Sequence, residues 1–354
     1  MRPAIHPSTS RSRSHLPALA YALDGSFHEL PVIDLSHPAF AIDSSQAEID
    51  ERVRRALAAM RDWSASPPLK RALFSLRAKR SVLASAIASS RGGYLSGIAT
   101  YLAKLGPSNL GRGFGFLDRE IADSLPCYCA RLRLRDAVSL AVEACRPGLR
   151  RAPGRPLYLV DIAGGAEALC LNALMELRRS SPGLLEGRSI RILDLDMDAD
   201  APAFAARCLD ALRTEGMALS GLDISLRHIR YDWSEDRALF DLGVQAAADN
   251  ALCLVASEGG LFDYARDEEV ISNLRAFREG YDSGSGGEPT PWVGTASRSD
   301  GPVAFLNHSS AAALRVRSAA ELERLATDAG YALTRSVENP LSRAFLLEGP
   351  ALAS

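Results

Sequence analysis

The stretch from Leu157 to Leu169 constrains the fold of this chain more than any other. An apolar run reaches Asp161 and Ile162, continues through Ala163-Gly164-Gly165, and passes into leucines at helical spacing. Such a pattern is typical of a buried parallel strand that leads into a helix. Glycines at the junction allow the backbone to turn sharply and to approach a ligand closely. The stretch therefore predicts a nucleotide-binding turn, whose binding residues are Asp161, Ala163, Gly164 and Gly165.

Glu167, two residues after this turn, bears on the choice of ligand. It occupies the position where the dinucleotide-binding fingerprint has its third glycine. A carboxylate beside a pyrophosphate is repulsive, so the sequence disfavours NAD and, with it, a nucleotide-dependent oxidoreductase. S-adenosylmethionine contains adenosine but no phosphate, and it escapes this penalty. We therefore predict S-adenosylmethionine as the cofactor.

Further apolar runs alternate with helical patterns after this stretch. They predict strands at 190–195, 225–231, 251–257 and 292–296, and two closing strands near 332–337 and 344–347. Strands that are separated by helices form parallel sheets, because a parallel connection needs a crossover. The two closing strands follow one another directly, which predicts a hairpin. The fold class is therefore α/β, a Rossmann-like parallel sheet that ends in an antiparallel hairpin.

Acidic residues stand at the ends of three of these strands, where ligands of open α/β sheets bind. Asp196 is the first choice for the ribose hydroxyls and Asp194 is the second, although such acids can instead cap the following helix. Asp232 could accept from an adenine amino group while Trp233 covers the ring, or it could be an ordinary turn aspartate. Glu258 ends the fourth strand and is expected to point into the same crevice.

The composition is that of a globular protein. The chain has 354 residues, 47% of them hydrophobic, and a formal charge of -2, and no apolar stretch reaches the roughly 20 residues of a membrane span. The six cysteines lack paired metal-ligand spacing, and the aspartates from 194 to 200 lack the glycine of an EF-hand, so no metal site is predicted. Unpaired cysteines favour a reducing compartment. We predict a cytoplasmic protein that binds neither membrane nor nucleic acid.

Three regions are predicted along the chain. They are a tail with an extended segment (1–44), a mainly helical cap (45–150) and a cofactor-binding domain (151–354). The first fifteen residues could be a transit peptide, but a disordered tail is the preferred interpretation. The cap opens with a capping box at Ser45 and Glu48. Its last helix, over roughly 127–145, leads to a linker at 146–156 that is rich in proline and glycine.

The cap contains a long stretch without acidic residues. Between Ser64 and Leu117 there are eight lysines and arginines and no aspartate or glutamate. Such a stretch could attract an anionic methyl acceptor through arginines that face the pocket, or it could form a solvated surface. The arginines that could face the pocket are Arg77, Arg80, Arg91 and Arg112.

The order of these motifs resembles the Rossmann-like (class I) S-adenosylmethionine-dependent methyltransferases over roughly residues 127–348. The matching motifs are Asp161-Ile-Ala-Gly-Gly, Asp194-Leu-Asp196, Asp232, and a Ser-Ala-Ala-Glu-Leu helix before the hairpin. The segment from Glu258 to Tyr264 is similar to one in leucine carboxyl methyltransferases and their bacterial O-methyltransferase relatives. Arg131 corresponds to an arginine that contacts the cofactor carboxylate in those relatives. Ala163 and Glu167 depart from the family's glycines.

The resemblance implies methyl transfer to a small molecule, with an oxygen of a specialised metabolite as the preferred acceptor. The alternatives are a nitrogen or carbon acceptor, or a non-catalytic nucleotide-cofactor-binding or scaffold protein that retains the fold. The reaction mainly requires alignment of acceptor, methyl and sulfur in a dry pocket. A carboxylate acceptor needs no base, whereas a phenol, alcohol or amine benefits from one, and Glu258, Tyr264 and His308 are the candidate catalytic residues. A homodimer is left open.

Overall fold

The fold is that of a computed structural model of the chain. It describes residues 19–25, 28–42, 44–67, 76–88, 94–285, 290–308 and 313–349. The predicted tail up to residue 18 and Arg91 of the basic stretch lie outside the described residues.

Strands and helices alternate through most of the described chain. The strands are β1 (Tyr21–Leu23), β2 (Glu29–Pro31), β3 (Leu157–Ile162), β4 (Ser189–Asp196), β5 (Asp223–Arg230), β6 (Leu252–Ser257), β7 (Trp292–Ser297), β8 (Ala332–Glu338) and β9 (Ser342–Glu348). The helices are α1 (Gln46–Ser64), α2 (Val82–Ala88), α3 (Gly97–Leu105), α4 (Phe116–Asp123), α5 (Leu125–Arg151), α6 (Ala168–Ser180), α7 (Asp200–Arg213), α8 (Arg237–Ala248), α9 (Leu261–Tyr264), α10 (Asp267–Ser285), α11 (Phe305–His308) and α12 (Ala319–Asp328).

The main sheet has seven strands in the order β5-β4-β3-β6-β7-β9-β8. The first five are parallel to one another, β9 is antiparallel to β7, and β8 pairs antiparallel with β9. The chain order reverses between β3 and β6, and such a switch point opens a crevice at the carboxyl ends of the strands. The predicted parallel sheet with a closing antiparallel hairpin is therefore confirmed.

The sheet is covered on both faces, as a parallel sheet requires. All six residues of β3 are buried. Leu157 and Leu159 pack on the face that carries α5, α6 and α7, together with Tyr101 of the cap. Tyr158 and Val160 pack on the opposite face, which carries α8, α10 and α12. This alternation explains why the strand reads as a continuous apolar run.

Local sequence signals at the helix ends are confirmed. Ser45 and Glu48 form the capping box of α1, and Ser318 and Glu321 form that of α12, with each serine hydroxyl accepting from the third helical amide. The segment before α1 contributes the β1–β2 hairpin. None of the described helices combines the length and apolar character needed to cross a membrane.

Helix α5 corrects the predicted linker. The helix continues through Arg151 and contains Pro147, whereas the sequence predicted an end near residue 145 and a linker at 146–156. A proline within a helix removes one backbone hydrogen bond. The buried face continues past it, since Leu149 is 1% exposed in the same core as Leu159 of the sheet. Tertiary packing therefore outweighs the local signal.

Two glycines allow α8 and α10 to pack closely. A Cβ built on Gly280 would lie 2.2 Å from the carbonyl oxygen of Phe240, and one built on Gly243 would lie 2.5 Å from the carbonyl oxygen of Phe277. Both obstacles are backbone atoms, which cannot move aside as a side chain would. The two helices can approach only because both positions lack a side chain.

We expect Gly280→Ala to destabilise the protein, because the added methyl must push α8 and α10 apart. Overpacking of this kind costs about 1–3 kcal/mol, and the change should be measured as the free energy of unfolding in urea. Gly148→Ala in α5 is the matched control, since its Cβ would lie 3.5 Å from Leu252, an ordinary contact. That variant should be neutral or gain up to about 1 kcal/mol from helix propensity. Equal effects of the two substitutions would contradict the prediction.

Candidate functional site

The turn between β3 and α6 lies at the carboxyl edge of the sheet, beside the switch point. Ala163, Gly165 and Glu167 all have left-handed backbone conformations, with φ of 57°, 59° and 54°. The Ala163 amide donates to the carbonyl of Leu195 at the end of β4, at 2.7 Å. A left-handed conformation costs a residue with a side chain about 1–2 kcal/mol. Strain of this kind is typical of ligand-binding turns.

Asp196 faces this turn, whereas Asp194 lies beneath it. Asp196 is half-buried, its Oδ1 accepts from the Asp198 amide at 2.9 Å, and its Oδ2 lies 3.9 Å from a Cβ built on Gly165. Asp194 is 0% exposed and stands beside Asp161 in the register of β3 and β4. Of the two acids, only Asp196 has a surface that a ligand over the turn could reach.

Asp161, Glu167 and Asp194 form a buried group of carboxyls under the turn. Their exposed fractions are 1%, 0% and 0%. Burial raises the pKa of all three, and neighbouring carboxylates raise it further. Glu167 is the N-cap residue of α6, and its side chain points into the protein and not into the crevice. The N-terminus of α6, where a phosphate would ordinarily bind, therefore has acids behind it.

Asp232 and Trp233 follow β5 on the same side of the crevice. Asp232 is exposed and accepts from both the amide and the hydroxyl of Ser234, at 2.9 and 2.8 Å, and these hydrogen bonds lower its pKa. This is the turn geometry that the sequence offers as the alternative to adenine binding. The Trp233 ring packs edge-on against Tyr94, with 5.9 Å between centroids, and Tyr94 packs against Tyr264 at 4.9 Å. The three rings thus form a connected aromatic cluster that joins the cap to the segments after β5 and β6.

Glu258, at the end of β6, is the centre of a buried ion cluster. Its carboxylate accepts from Lys104 of α3 and, at 2.5 Å, from Nε of Arg133 of α5. Arg133 also reaches Asp263 at 3.5 Å. The Lys104 and Glu258 side chains are 6% and 5% exposed. Burial alone would raise the pKa of Glu258, but Arg133 and Lys104 outweigh it and lower the pKa.

The three candidate bases differ in how well they could accept a proton. Glu258 is a weak base, because its charge is stabilised by two cations. Burial, followed by Asp263, raises the pKa of Tyr264 to about 12, so its hydroxyl keeps its proton at neutral pH. His308 is the last residue of α11, and its side chain lies outside what the structure describes.

The structure places Arg131 away from the crevice and Arg133 in it. Arg131 donates to the carbonyl of Ala122 at 2.7 Å and lies 5.5 Å from the ring centroid of Tyr128. Residues two positions apart on a helix point in nearly opposite directions, so only one of these arginines can reach Glu258. The sequence Arg131-Leu-Arg-Leu-Arg contains no signal that distinguishes them, and Arg133 was therefore missed.

The cap rests directly on the turn through Gly97, the first residue of α3. A Cβ built on Gly97 would lie 2.5 Å from the Cβ of Ala201 and 3.0 Å from the Cα of Gly165. The Ser96 hydroxyl caps this helix by accepting from the Ala99 amide. The N-terminus of α3 therefore roofs the part of the crevice that lies between β3 and β4.

Among its described basic residues, the acid-free stretch of the cap contributes one to this site, and it is not one of the predicted arginines. Arg77, Arg80 and Arg112 are exposed, which contradicts the expectation that they face the pocket, and Arg91 lies outside the described residues. The residue that enters is Lys104, and its charge is neutralised by Glu258. The other described basic residues of the stretch are exposed, which fits the solvated surface that the sequence left open as the alternative.

No family model matches the chain. No curated protein matches it either. Solved structures that resemble it include magnesium protoporphyrin IX methyltransferase (ChlM) from Synechocystis with bound SAH, at 12% identity over 69% of this chain and 91% of that one, with a TM-score of 0.40. The pyocyanin biosynthetic protein PhzM matches at 18% identity over 64% and 58% of the two chains, with a TM-score of 0.38. The N,N-8-amino-8-demethyl-D-riboflavin dimethyltransferase RosA from Streptomyces davawensis matches at 15% identity over 66% and 60%, with a TM-score of 0.36. Likeness at this level assigns neither activity nor cofactor to this chain.

We expect Glu258→Gln to destabilise the protein by about 3–5 kcal/mol at neutral pH, because it leaves Lys104 and Arg133 buried without their shared counterion. The lowered pKa of Glu258 means that its ionisation stabilises the fold above the ordinary glutamate pKa, and that this contribution is lost as the pH falls through the lowered value. The difference between wild type and variant should therefore shrink below about pH 4, as measured by urea unfolding at several pH values.

Arg54→Gln is the control for this prediction, because Arg54 forms an exposed pair with Glu51 and exposed pairs contribute little. It should leave stability nearly unchanged at every pH. If Glu258→Gln were as mild as Arg54→Gln, the ion cluster would not hold the cap to the sheet.

Proposed function

We propose that this protein is an S-adenosylmethionine-dependent methyltransferase that acts on a small molecule, with an oxygen atom as the preferred acceptor. The observation that carries the proposal is the arrangement around the β3–α6 turn. A strained glycine turn, an accessible aspartate at the end of the neighbouring strand and a roof of cap residues occupy the switch point of a parallel sheet. This is where such sheets bind adenosine-containing ligands.

The residues fit a cofactor that contains adenosine but no phosphate. Asp196 has an acceptor oxygen beside Gly165, as contact with a ribose diol requires, and Trp233 offers an aromatic face nearby. Asp161, Glu167 and Asp194 lie behind the N-terminus of α6, and these acidic groups supply no positive charge that would balance a pyrophosphate there. S-adenosylmethionine supplies an electrophilic methyl on a positively charged sulfur.

The chain itself supplies enclosure and alignment. Helix α3 roofs the turn through Gly97, and the aromatic side chains of Tyr94, Trp233 and Tyr264 line the adjoining wall. A closed apolar wall keeps water from the reacting atoms. The ion pair between Lys104 and Glu258 joins the roof to the sheet. A transfer that depends on alignment needs little more than this rigidity.

The state of the candidate bases favours an acceptor that ionises readily. Glu258 is paired with two cations and Tyr264 has a raised pKa. Neither is suited to remove a proton from an alcohol at neutral pH. A carboxylate or an acidic phenol can attack without such help. An oxygen of this type is therefore the acceptor that we propose, and a nitrogen or carbon acceptor is the alternative.

A non-catalytic protein that retains the fold is a second candidate. The observation in its favour is the close packing of Gly97 against Gly165 and Ala201, because α3 there occupies space close to where a ribose would lie. Such a protein would bind neither S-adenosylmethionine nor S-adenosylhomocysteine. Calorimetric titration with both compounds separates the two candidates.

We expect S-adenosylmethionine or S-adenosylhomocysteine to bind with micromolar affinity, about -8 kcal/mol, and NAD to bind far more weakly. Asp196→Ala should weaken cofactor binding by about 1.5–3 kcal/mol, the usual value of hydrogen bonds to a charged group. Isothermal titration calorimetry measures both effects.

Asp198→Ala is the matched control, because Asp198 is exposed in the same loop and contributes a backbone contact to Asp196 that the substitution preserves. It should bind the cofactor as the wild type does. Tighter binding of NAD would exclude the proposed cofactor. A large effect of Asp194→Ala with none of Asp196→Ala would show that Asp194, and not Asp196, makes the ribose contact.

A further inference from the structure

The fold brings three potential metal ligands together beneath the β3–α6 turn. Asp161 is the penultimate residue of β3, Glu167 precedes α6, and Cys170 lies in the first turn of α6. Each offers one ligand atom, and the three atoms lie within 4.8 Å of one another. Cys170 Sγ lies 3.6 Å from Oδ2 of Asp161. The exposed fractions of the three residues are 1%, 0% and 1%.

The carboxylate oxygens of this group lack the partners that burial ordinarily requires. Both oxygens of Glu167 and Oδ1 of Asp161 have no hydrogen-bond partner among the described residues. A buried carboxylate without a partner is strongly unfavourable. Against the effect of burial, the ammonium group of Lys104 lowers the pKa of Asp161, but it is already paired with Glu258. The described residues thus concentrate acidic groups beneath the turn without a cation to match them.

Asp194 adds a third carboxyl group to this buried cluster. It stands beside Asp161 in the register of β3 and β4, and both of its carboxylate oxygens also lack a hydrogen-bond partner within the described part of the chain. A thiol next to carboxylates is unusual in an apolar core, where each group alone would be costly. Carboxylate and thiolate ligands together are the donors of a borderline-soft divalent cation.

We propose that Asp161, Glu167 and Cys170 bind a divalent transition-metal cation of the Zn²⁺ type. Tetrahedral zinc bonds of about 2.0 Å to oxygen and about 2.3 Å to sulfur place two such ligand atoms about 3.5 Å apart. The observed 3.6 Å between Cys170 Sγ and Asp161 Oδ2 agrees with this separation. On binding, the Cys170 thiol and any protonated carboxyl ligand release their protons to solvent, and the resulting thiolate and carboxylates form the bonds to the metal.

The site is structural in character. Its ligands are completely enclosed, whereas a catalytic metal keeps a position open to water or substrate. The cation would clamp the end of β3 to the start of α6 and so hold the left-handed turn between them. The proposal does not rest on the proposed function, because Asp196, the expected cofactor contact, is not among the three ligands.

The test uses the full chain after treatment with a chelator, with Co²⁺ alone as the spectroscopic probe and no methyl donor present. We expect one equivalent of Co²⁺ to bind and to give a thiolate-to-cobalt charge-transfer band. Zn²⁺ should displace the cobalt and abolish the band. Cys170→Ser should lose the band, and Glu167→Gln should weaken binding about 10- to 100-fold.

Cys208→Ser is the control, because Cys208 is also buried but lies in α7 near Tyr101. It should keep the band. If the Cys170 variant does not fold, the wild-type protein still tests the proposal. Added Zn²⁺ should raise the melting temperature of the wild type in proportion to the logarithm of the Zn²⁺ concentration. A wild type without a charge-transfer band, or a Glu167→Gln variant that melts higher with and without chelator alike, would overturn the proposal and leave a cluster of protonated carboxyls.

Discussion

The left-handed turn between β3 and α6 is the constraint on which the surrounding structure depends. Two neighbouring elements approach it closely, and each does so through a glycine. Gly97 of the cap meets Gly165, and a Cβ built on Gly260, after β6, would lie 2.4 Å from the Cβ of Ala163. The turn also directs Glu167 inward. Its shape thus sets where the cap sits, how β6 ends and which acids are buried.

Most of the sheet could be predicted from the sequence, because buried parallel strands read as uninterrupted apolar runs and their helices carry capping signals. The predicted strand at 157–162 has the observed bounds of β3. The long helix α5 could not be bounded in the same way, since Pro147 is a local signal while Leu149 is held by distant residues of the sheet. Local chemistry locates an element, and packing decides where it ends.

The positions of the acidic residues at the site could be predicted from the sequence, but their ion-pair partners could not. Acids at strand ends follow from topology, and so Asp196 and Glu258 could be placed at the crevice from their positions alone. Whether Glu258 is a free carboxylate or a buried counterion depends on Lys104 and Arg133, which lie more than a hundred residues away in the chain. Cys170 and Glu167 are neighbours only because α6 begins at that turn, so sequence spacing gave no indication of a shared ligand set.

The continuity of α5 has a consequence for how a ligand could enter. This helix contributes Leu134 and Leu149 to a single core that also contains Leu159 of the sheet, so the cap has no flexible joint at its junction with the sheet. The cap therefore cannot swing open as one rigid body. Helix α3 carries Lys104, so a shift of this helix away from the sheet would separate Lys104 from Glu258. Any movement that lifts the roof from the turn would therefore also expose this buried ion pair to solvent.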